Sequence, residues 1–400
     1  MQQALLHLIL WALIPFCFMA ATVGVLQLFT NSHFPIQNPK SKIQNGISHG
    51  WSPAIKLPLL GICTALLIVA CGGDTANKAT IGGAANTDLA ANASECRVVK
   101  HELGETKVCG QPKKVVAFGP YMLDLLLSLG VQPAGYADVF PWHRGTYFDR
   151  PSQQIPYLGN RVTSKPLNLG LRDAPSLEAL SQLKPDLILS EAGGMESRYP
   201  LLSQIAPTLF FEHRIIKDRW QQSIQAIAQA LGRSEQVPRV IASHNQLLAA
   251  ARAELAPVVA AHPHLLLLGG DQLNQNIRLF DRNEYVGGLL ADVGFQIVAL
   301  PGQENTERAT FISLEVLPSL KAADTIIVLG YALDPKAHQG NVLENQLKNL
   351  KQEWSKNALA QSLPASQEGR VYFVTYYLWN GLNGPIGAEL ILKELHQLLL

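Results

Sequence analysis

Arginine and aromatic residues cluster at three places in this chain, at 140–148, 278–282 and 376–380. An arginine stays charged and donates forked hydrogen bonds to oxygen atoms, while an aromatic ring adds flat contact area and stacking. Such side chains suit an oxygen-rich, anionic ligand, and loops that face a crevice are where binding sites concentrate. The candidate ligand-binding residues are Tyr121, Trp142, Arg144, Arg198, Tyr199, Arg278, Arg282, Tyr377 and Trp379.

Motifs for catalysis and metal binding are weak by comparison. Downstream of residue 70 the chain has no G-x-S-x-G and no G-x-G-x-x-G motif, and the glycines of 381–387 have the wrong spacing. His262 and His264 form the one close histidine pair, whereas a metal site needs three or four converging ligands. We therefore predict a binding protein and not an enzyme, without metal ligands of its own. A direct metal-ion binder remains the less favoured alternative.

A nine-residue pattern occurs twice, once from Ser176 to Lys184 and again from Ser313 to Lys321. Each copy begins with a possible N-cap serine, places a glutamate in the first turn and leads into a strand-like apolar run. Two similar copies predict two similar lobes. Glu178 and Glu315 either complement their helix dipoles or present one exposed carboxylate per lobe to a two-fold symmetric partner.

The chain begins with a leader that holds no acidic residue in its first 70 positions. A lysine at 56, a short apolar run and small residues before Cys71 are typical of a secretory signal, and Ile-Val-Ala-Cys resembles the bacterial lipobox. That resemblance implies lipid attachment to Cys71. We expect residues 1–70 to form the leader, with a possible mis-assigned start within 1–50, and residues 71–95 to form a flexible tether.

Two cysteines flank an alternating segment that has a glycine in its middle. Cys96 and Cys109 are the remaining pair after the leader, and the pattern between them predicts a β-hairpin. Because an exported chain is disulfide-permissive, we expect Cys96 and Cys109 to be bonded.

Strand-like and helix-like segments alternate from about residue 113 to the C-terminus. The alternation predicts an α/β fold with mainly parallel sheets. A long helix with a single apolar stripe, expected at 233–258, separates the two repeat copies. It divides the chain into an N-terminal lobe at 96–232 and a C-terminal lobe at 259–400.

The chain resembles ABC-transporter substrate-binding proteins of the ferric-siderophore and vitamin B12 class. The resemblance rests on the first repeat copy with its strand (175–189), Ile205-Ala206-Pro207-Thr208, Ser313-Leu314-Glu315, Gly369-Arg370-Val371-Tyr372 and the closing 379–388. It implies two lobes joined by one rigid helix, as in class III periplasmic binding proteins, with a ligand in the cleft. It also implies that Glu178 and Glu315 dock onto arginines of a permease dimer.

The resemblance further implies that the chain binds a ferric siderophore, or a ferric citrate-like complex, without an intrinsic cofactor. A corrinoid or haem binder of the same fold is the alternative, since fold does not fix the ligand. The formal net charge of +1 does not indicate a nucleic-acid-binding surface. We expect a monomer in the periplasm or cell envelope, anchored to the inner membrane by lipid on Cys71.

Overall fold

The computed structural model describes residues 95–192, 194–275, 277–300, 309–331 and 342–400. All of them fall within one compact unit, Gly83–Leu400. The predicted leader, the predicted lipidation residue Cys71 and the predicted tether up to 94 lie outside the described residues. Within the described residues, no helix combines the length and hydropathy needed to cross a bilayer.

A two-stranded hairpin precedes the first lobe. Strands β1 (Cys96–His101) and β2 (Gly104–Cys109) pair antiparallel, with Cys96 opposite Cys109. The two cysteines are joined by a disulfide. Gly104, at φ 127°, takes a backbone conformation at the turn that other residues rarely adopt.

The N-terminal lobe alternates strands and helices, as its sequence pattern predicts. Its elements are β3 (Val115–Phe118), α1 (Pro120–Ser128), β4 (Gly135–Asp138), α2 (Pro151–Gln154), β5 (Leu167–Leu171), β6 (Ala174–Pro175), α3 (Leu177–Leu183), β7 (Leu187–Glu191), α4 (Tyr199–Ile205), β8 (Thr208–Phe211) and α5 (Arg219–Leu231). The strand order is β6-β5-β4-β3-β7-β8, and every neighbouring pair except β5 and β6 is parallel. Strands β3 and β7 are buried throughout, as central strands of a covered parallel sheet must be.

One long helix, α6 (Val237–Ala261), connects the two lobes. At 25 residues it spans roughly 37 Å. The helix begins and ends a few residues later than the expected 233–258, and Pro257 lies inside its last turns. A proline removes one backbone donor and crowds the preceding turn, which is a local cost that a long helix tolerates near its end.

The C-terminal lobe holds the second sheet. Its elements are β9 (His264–Gly270), β10 (Ile277–Leu279), α7 (Tyr285–Val293), β11 (Gln296–Ile297), β12 (Thr310–Ile312), β13 (Thr325–Gly330), α8 (Val342–Lys356), α9 (Ala358–Gln361), α10 (Pro364–Gln367), β14 (Val371–Thr375) and α11 (Pro385–Leu399). The path runs β12-β10-β9-β13-β14, with β11 beside β9. Strands β9, β11, β13 and β14 pair in parallel. Strand β10 pairs antiparallel with both of its neighbours, β9 and β12.

The two repeat copies occupy corresponding places in the two sheets. The first copy leads into β7 and the second into β13, and each of these strands lies between two parallel neighbours. The first copy is an α-helix whose cap Ser176 accepts a hydrogen bond from the Ala179 amide, at 3.2 Å. The second copy is a 3-10 helix, Leu314–Leu320, because Pro318 lies within it and cannot donate.

Helix α8 is continuous and is followed by the short α9. The sequence of α8 contains no glycine or proline that would break the helix, and Asn357 caps α9. Helix α11 follows the C-terminal sheet but packs against α1 of the N-terminal lobe and against α6. The amphipathic pattern of α11 indicates which of its faces is buried. The pattern does not indicate which elements pack against that face.

Candidate ligand-binding cleft

The carboxyl ends of the two sheets face each other. Strand β4 ends at Asp138 and β14 ends at Thr375, and the Asp138 carboxylate accepts a hydrogen bond from the Tyr377 hydroxyl at 2.8 Å. Tyr157 of the N-terminal lobe pairs with the Thr375 hydroxyl at 2.7 Å. Ligands of open α/β sheets bind beyond the carboxyl ends of the strands, which makes this junction the candidate cleft.

Aromatic rings line the junction. Trp142 meets Phe140 edge-on at 5.1 Å between ring centroids and meets Tyr377 edge-on at 5.4 Å. Tyr157 stacks on Tyr377 at 6.0 Å with an interplanar angle of 22°. Edge-to-face and offset arrangements are the favoured geometries for such rings. Tyr377 of the C-terminal lobe therefore contacts several aromatic rings of the N-terminal lobe.

Asp138 is a buried carboxylate at the centre of this aromatic group. Its Oδ2 accepts hydrogen bonds from the Tyr136 and Tyr377 hydroxyls, at 2.6 and 2.8 Å. Burial raises the pKa of Asp138 to about 6, although these hydrogen bonds favour the charged form. The carboxylate thus ties a strand of one lobe to a loop of the other.

Glu191 holds two arginines at the end of β7. Its side chain is 1% exposed; Oε1 lies 2.7 Å from Arg172 Nη1, and Oε2 lies 3.3 Å from Arg214 Nε. Burial opposes the charge of Arg172, but Glu191 and Asp173 together outweigh that effect and raise the pKa of the guanidinium. A Cβ at Gly119 would lie 1.8 Å from Glu191 Oε1, so the chain needs a glycine there.

Arg214 also reaches the other lobe. Its Nη1 donates to the Asn380 carbonyl, and to Asn383 Oδ1 at 2.7 Å. Both partners lie in or directly after the π-helical turn Leu378–Leu382 that precedes α11. One guanidinium therefore contacts Glu191 in the N-terminal lobe and two groups in the C-terminal lobe.

The C-terminal lobe contributes a second arginine and aromatic group. Arg278 is 8% exposed, lies 4.4 Å above the Phe280 ring and donates to the Tyr376 hydroxyl at 3.1 Å. It also pairs with Glu284, whose pKa is raised by burial. Tyr331 meets Tyr376 edge-on at 5.0 Å, directly after β13.

The predicted ligand residues do not all lie together. Trp142, Arg278 and Tyr377 lie at the junction of the two sheets. Arg144 and Arg282 are exposed on loops of the N-terminal and C-terminal lobes. Two others were misplaced by the prediction. Tyr121 is fully buried in the core, and Trp379, also fully buried, donates from Nε1 to Glu394 of α11.

Tyr199 and Arg198 lie away from the aromatic group. Tyr199 stands 3.1 Å from His101 Nε2 and so contacts the β1–β2 hairpin, while Arg198 is in the 3-10 turn just before it. After β7 the chain turns toward the hairpin, which brings Tyr199 to His101. The prediction that they line the cleft was wrong in this structure.

Sequence reasoning missed Glu191, Arg172 and Arg214. Arg214 follows β8, so the rule that sites lie beyond strand ends could have found it. Arg172 follows β5, a strand that the sequence analysis did not predict. Glu191 ends β7, but nothing in the sequence shows that two arginines converge on it.

The repeat glutamates lie where a partner could reach them. Glu178 and Glu315 are both exposed in the first turns of their helices. A hydrogen bond from Ser313 lowers the pKa of Glu315. Among the residues that the structure describes, no group of three or more histidine, cysteine, aspartate and glutamate side chains converges on a metal-sized site. His264 instead pairs with Asp324 at 2.9 Å.

Two facing α/β lobes, one linking helix and a cleft of arginines and aromatic rings define a two-lobe ligand-binding protein. The chain belongs to the family described as Periplasmic binding protein, whose model matches residues 115–377.

Several curated proteins and solved structures are similar to this chain. A putative ABC transporter substrate-binding lipoprotein of Bacillus subtilis, YhfQ, is 28% identical over 76% of this chain and 90% of its own length. The Fe(3+)-citrate-binding protein YfmC of the same organism is 28% identical over 75% of this chain and 85% of its own length. Staphylococcus aureus SirA complexed with staphyloferrin B has the same fold, with a TM-score of 0.61 and 24% identity, and covers 76% of this chain and 98% of its own.

Proposed function

We propose that this protein captures a ferric siderophore, or a ferric citrate-like complex, between its lobes and delivers it to an ABC permease. The observation that carries the proposal is the convergence of Arg172, Arg214 and Arg278 with aromatic rings at the junction of the two sheets. Guanidinium groups match the oxygen-rich surface of such chelates. The similarity to YfmC and to the lipoprotein YhfQ supports the same ligand class and transport role.

Tryptophan fluorescence tests the ligand class directly. Trp142 packs in the cleft, whereas Trp354 packs in the C-terminal core against Phe373. We expect a ferric siderophore or ferric citrate to quench the wild-type protein at micromolar concentration. Trp142→Phe should remove most of the change and Trp354→Phe should not. Quenching by haemin or cobalamin alone would support the alternative ligand of the same fold, and quenching by zinc or manganese alone would support a metal-ion binder.

Permease docking is the second part of the proposal. Glu178 and Glu315 are exposed carboxylates at corresponding places in the two lobes, which suits a two-fold symmetric partner with positive charge. Changing both to lysine should leave ligand affinity within about twofold, because neither lies at the cleft, and should abolish iron uptake by cells.

The matched control changes Glu105 and Glu235 to lysine. These carboxylates are also exposed, on the hairpin and before α6. Cells that carry this control variant should take up iron normally. Normal uptake by the Glu178 and Glu315 variant would contradict the docking role.

The anchor forms the third part of the proposal. Lipid on Cys71 would hold the protein at the outer face of the inner membrane, and several acyl chains make such an anchor stable. Cys71→Ser should shift the protein from the membrane fraction to the soluble envelope fraction. Membrane retention of this variant would contradict lipidation at Cys71.

A further inference from the structure

We propose that Glu191 is a positioning and specificity-determining residue. It is an internal carboxylate that holds Arg172 and Arg214 in place. The two arginines favour chelates with free carboxylates, and Glu191 limits that preference because its own carboxylate competes for Arg214. This inference rests on the proposed function and deepens it by naming the chemical class of the ligand.

The burial of Glu191 shows why its charge matters. At 1% exposure, the carboxylate has lost its hydration and depends on the two guanidinium groups beside it. Arg172 follows β5 and Arg214 follows β8, two strands that lie on either side of β7 in the strand order. Both remain partly accessible, at 12% and 21% of their side-chain surface.

The two arginines are held unequally. Arg172 donates to Glu191 Oε1 at 2.7 Å and pairs with the exposed Asp173, also at 2.7 Å. Arg214 Nε lies 3.3 Å from Oε2, and within the described part of the chain Oε2 has no hydrogen-bond partner. The contact of Glu191 with Arg214 is therefore the one that an incoming carboxylate can displace at the lower cost, while Arg214 Nη1 stays bound to Asn380 and Asn383.

The opposite lobe has unused hydrogen-bonding groups at the same point. Asn380 Oδ1 and Asn383 Nδ2 are buried and, among the described residues, lack partners, although Arg214 contacts both residues through other atoms. Buried polar atoms are paired in most folded proteins, so unpaired ones at a cleft mark a place for a polar ligand group. A ligand carboxylate that replaces Glu191 as the partner of Arg214 would lie beside the Asn383 amide donor.

Competition between Glu191 and a ligand carboxylate sets how strongly the site prefers ligands with free carboxylates. A chelate with free carboxylates can share the arginines with Glu191 at the cost of repulsion from its charge. A trihydroxamate complex lacks such a group and neither gains from the arginines nor is repelled. Glu191→Gln keeps one oxygen acceptor for Arg172 and removes the negative charge. It should therefore raise the affinity for ligands with free carboxylates and leave the affinity for other ligands unchanged.

The test is calorimetry with three probes: ferric citrate, citrate without iron and a ferric trihydroxamate that has no free carboxylate. Glu191→Gln should bind both citrate probes about tenfold more tightly than wild type. Its affinity for the trihydroxamate should stay within about twofold. Arg214→Gln should weaken both citrate probes at least tenfold and leave the trihydroxamate within about twofold.

The matched control is Glu389→Gln. Glu389 also forms an ion pair across the lobes, with Arg161 at 2.5 Å, but at 46% exposure and in α11. This variant should bind every probe as wild type does. Equal effects of Glu191→Gln on all three probes, or no effect on the citrate probes, would overturn the role of Glu191. Failure of the wild type to bind either iron complex would overturn the proposed function, while iron-free citrate would still test Glu191.

Discussion

Asp124 is the residue that fixes the start of the last helix. Its carboxylate lies in α1 of the N-terminal lobe and accepts hydrogen bonds from the Ile386 and Gly387 amides, at 3.0 and 2.7 Å. These amides are among the unpaired donors of the α11 N-terminus, where negative charge is favourable. Burial nevertheless dominates and raises the pKa of Asp124 to about 7. The residue therefore links the lobes and titrates near neutral pH.

The raised pKa of Asp124 sets a pH dependence of stability. Between the unfolded pKa of about 4 and the folded pKa of about 7, the folded state keeps a proton that the unfolded state has lost. The free energy of unfolding should therefore fall as pH rises through this window, by an amount on the order of 4 kcal/mol from this group. The asparagine of Asp124→Asn cannot titrate. The free energy of unfolding of this variant should therefore decline less between pH 5 and pH 8 than that of the wild type.

Urea denaturation of both proteins at several pH values measures this difference. Asp124→Asn should also be less stable at pH 5 by about 1–3 kcal/mol, because its amide nitrogen faces a backbone donor. Parallel pH profiles for the variant and the wild type would show that Asp124 does not titrate in this window.

Helix α6 is the element that both lobes share. It contacts α5, α7 and α11. Its inward stripe includes Ala251 and Leu255, and Leu255 is 1% exposed. Because α6 packs against helices of both lobes, its buried stripe should contribute to the stability of the whole fold.

A truncation in this stripe is a direct test of that role. Leu255→Ala should reduce the free energy of unfolding by about 2–5 kcal/mol, the usual cost of a buried leucine and the cavity left behind. Leu201→Ala is the matched control, since Leu201 is 48% exposed in α4, and should cost less than about 1 kcal/mol. Chemical denaturation measures both. Similar losses for the two variants would contradict a structural role for the stripe.

The two lobes are in extensive contact at the scale of the whole molecule. Asp138 with Tyr377, Tyr157 with Thr375 and Asp124 with the start of α11 join them, besides α6 itself. Ile216 of the N-terminal lobe also pairs with Glu284 of the C-terminal lobe in an isolated β-bridge. Several independent ties, added to one continuous helix, leave little freedom for large domain rotation.

Small-angle X-ray scattering can measure the predicted restriction. The radius of gyration of the protein without ligand and with saturating ferric citrate should differ by less than about 1 Å, because a helical connection permits only small rotations. Tyr377→Phe combined with Tyr157→Phe removes two of the ties and should enlarge the ligand-free protein. A change of several ångströms in the wild type would indicate a flexible hinge in place of a rigid helix.

The architecture was largely predictable from local patterns. Alternation of apolar segments predicted the parallel strands around β3, β7 and β13, and the long stripe predicted α6 to within a few residues of its ends. The duplicated Ser-Leu-Glu element predicted two lobes with a glutamate exposed on each. These features follow from periodicity and capping, which act over a few neighbouring residues and are visible in the chain itself.

The membership of the cleft was decided by tertiary structure. Sequence identified Trp142, Arg278 and Tyr377, but it also selected Tyr121 and Trp379, which the core buries. It missed Glu191, Arg172 and Arg214, which lie 19 and 23 residues apart along the chain and meet at one edge of a sheet. Residue type alone determined which side chains could bind an anionic chelate. Only the packing of strands and helices decided which of them converge, because that convergence depends on contacts between distant segments.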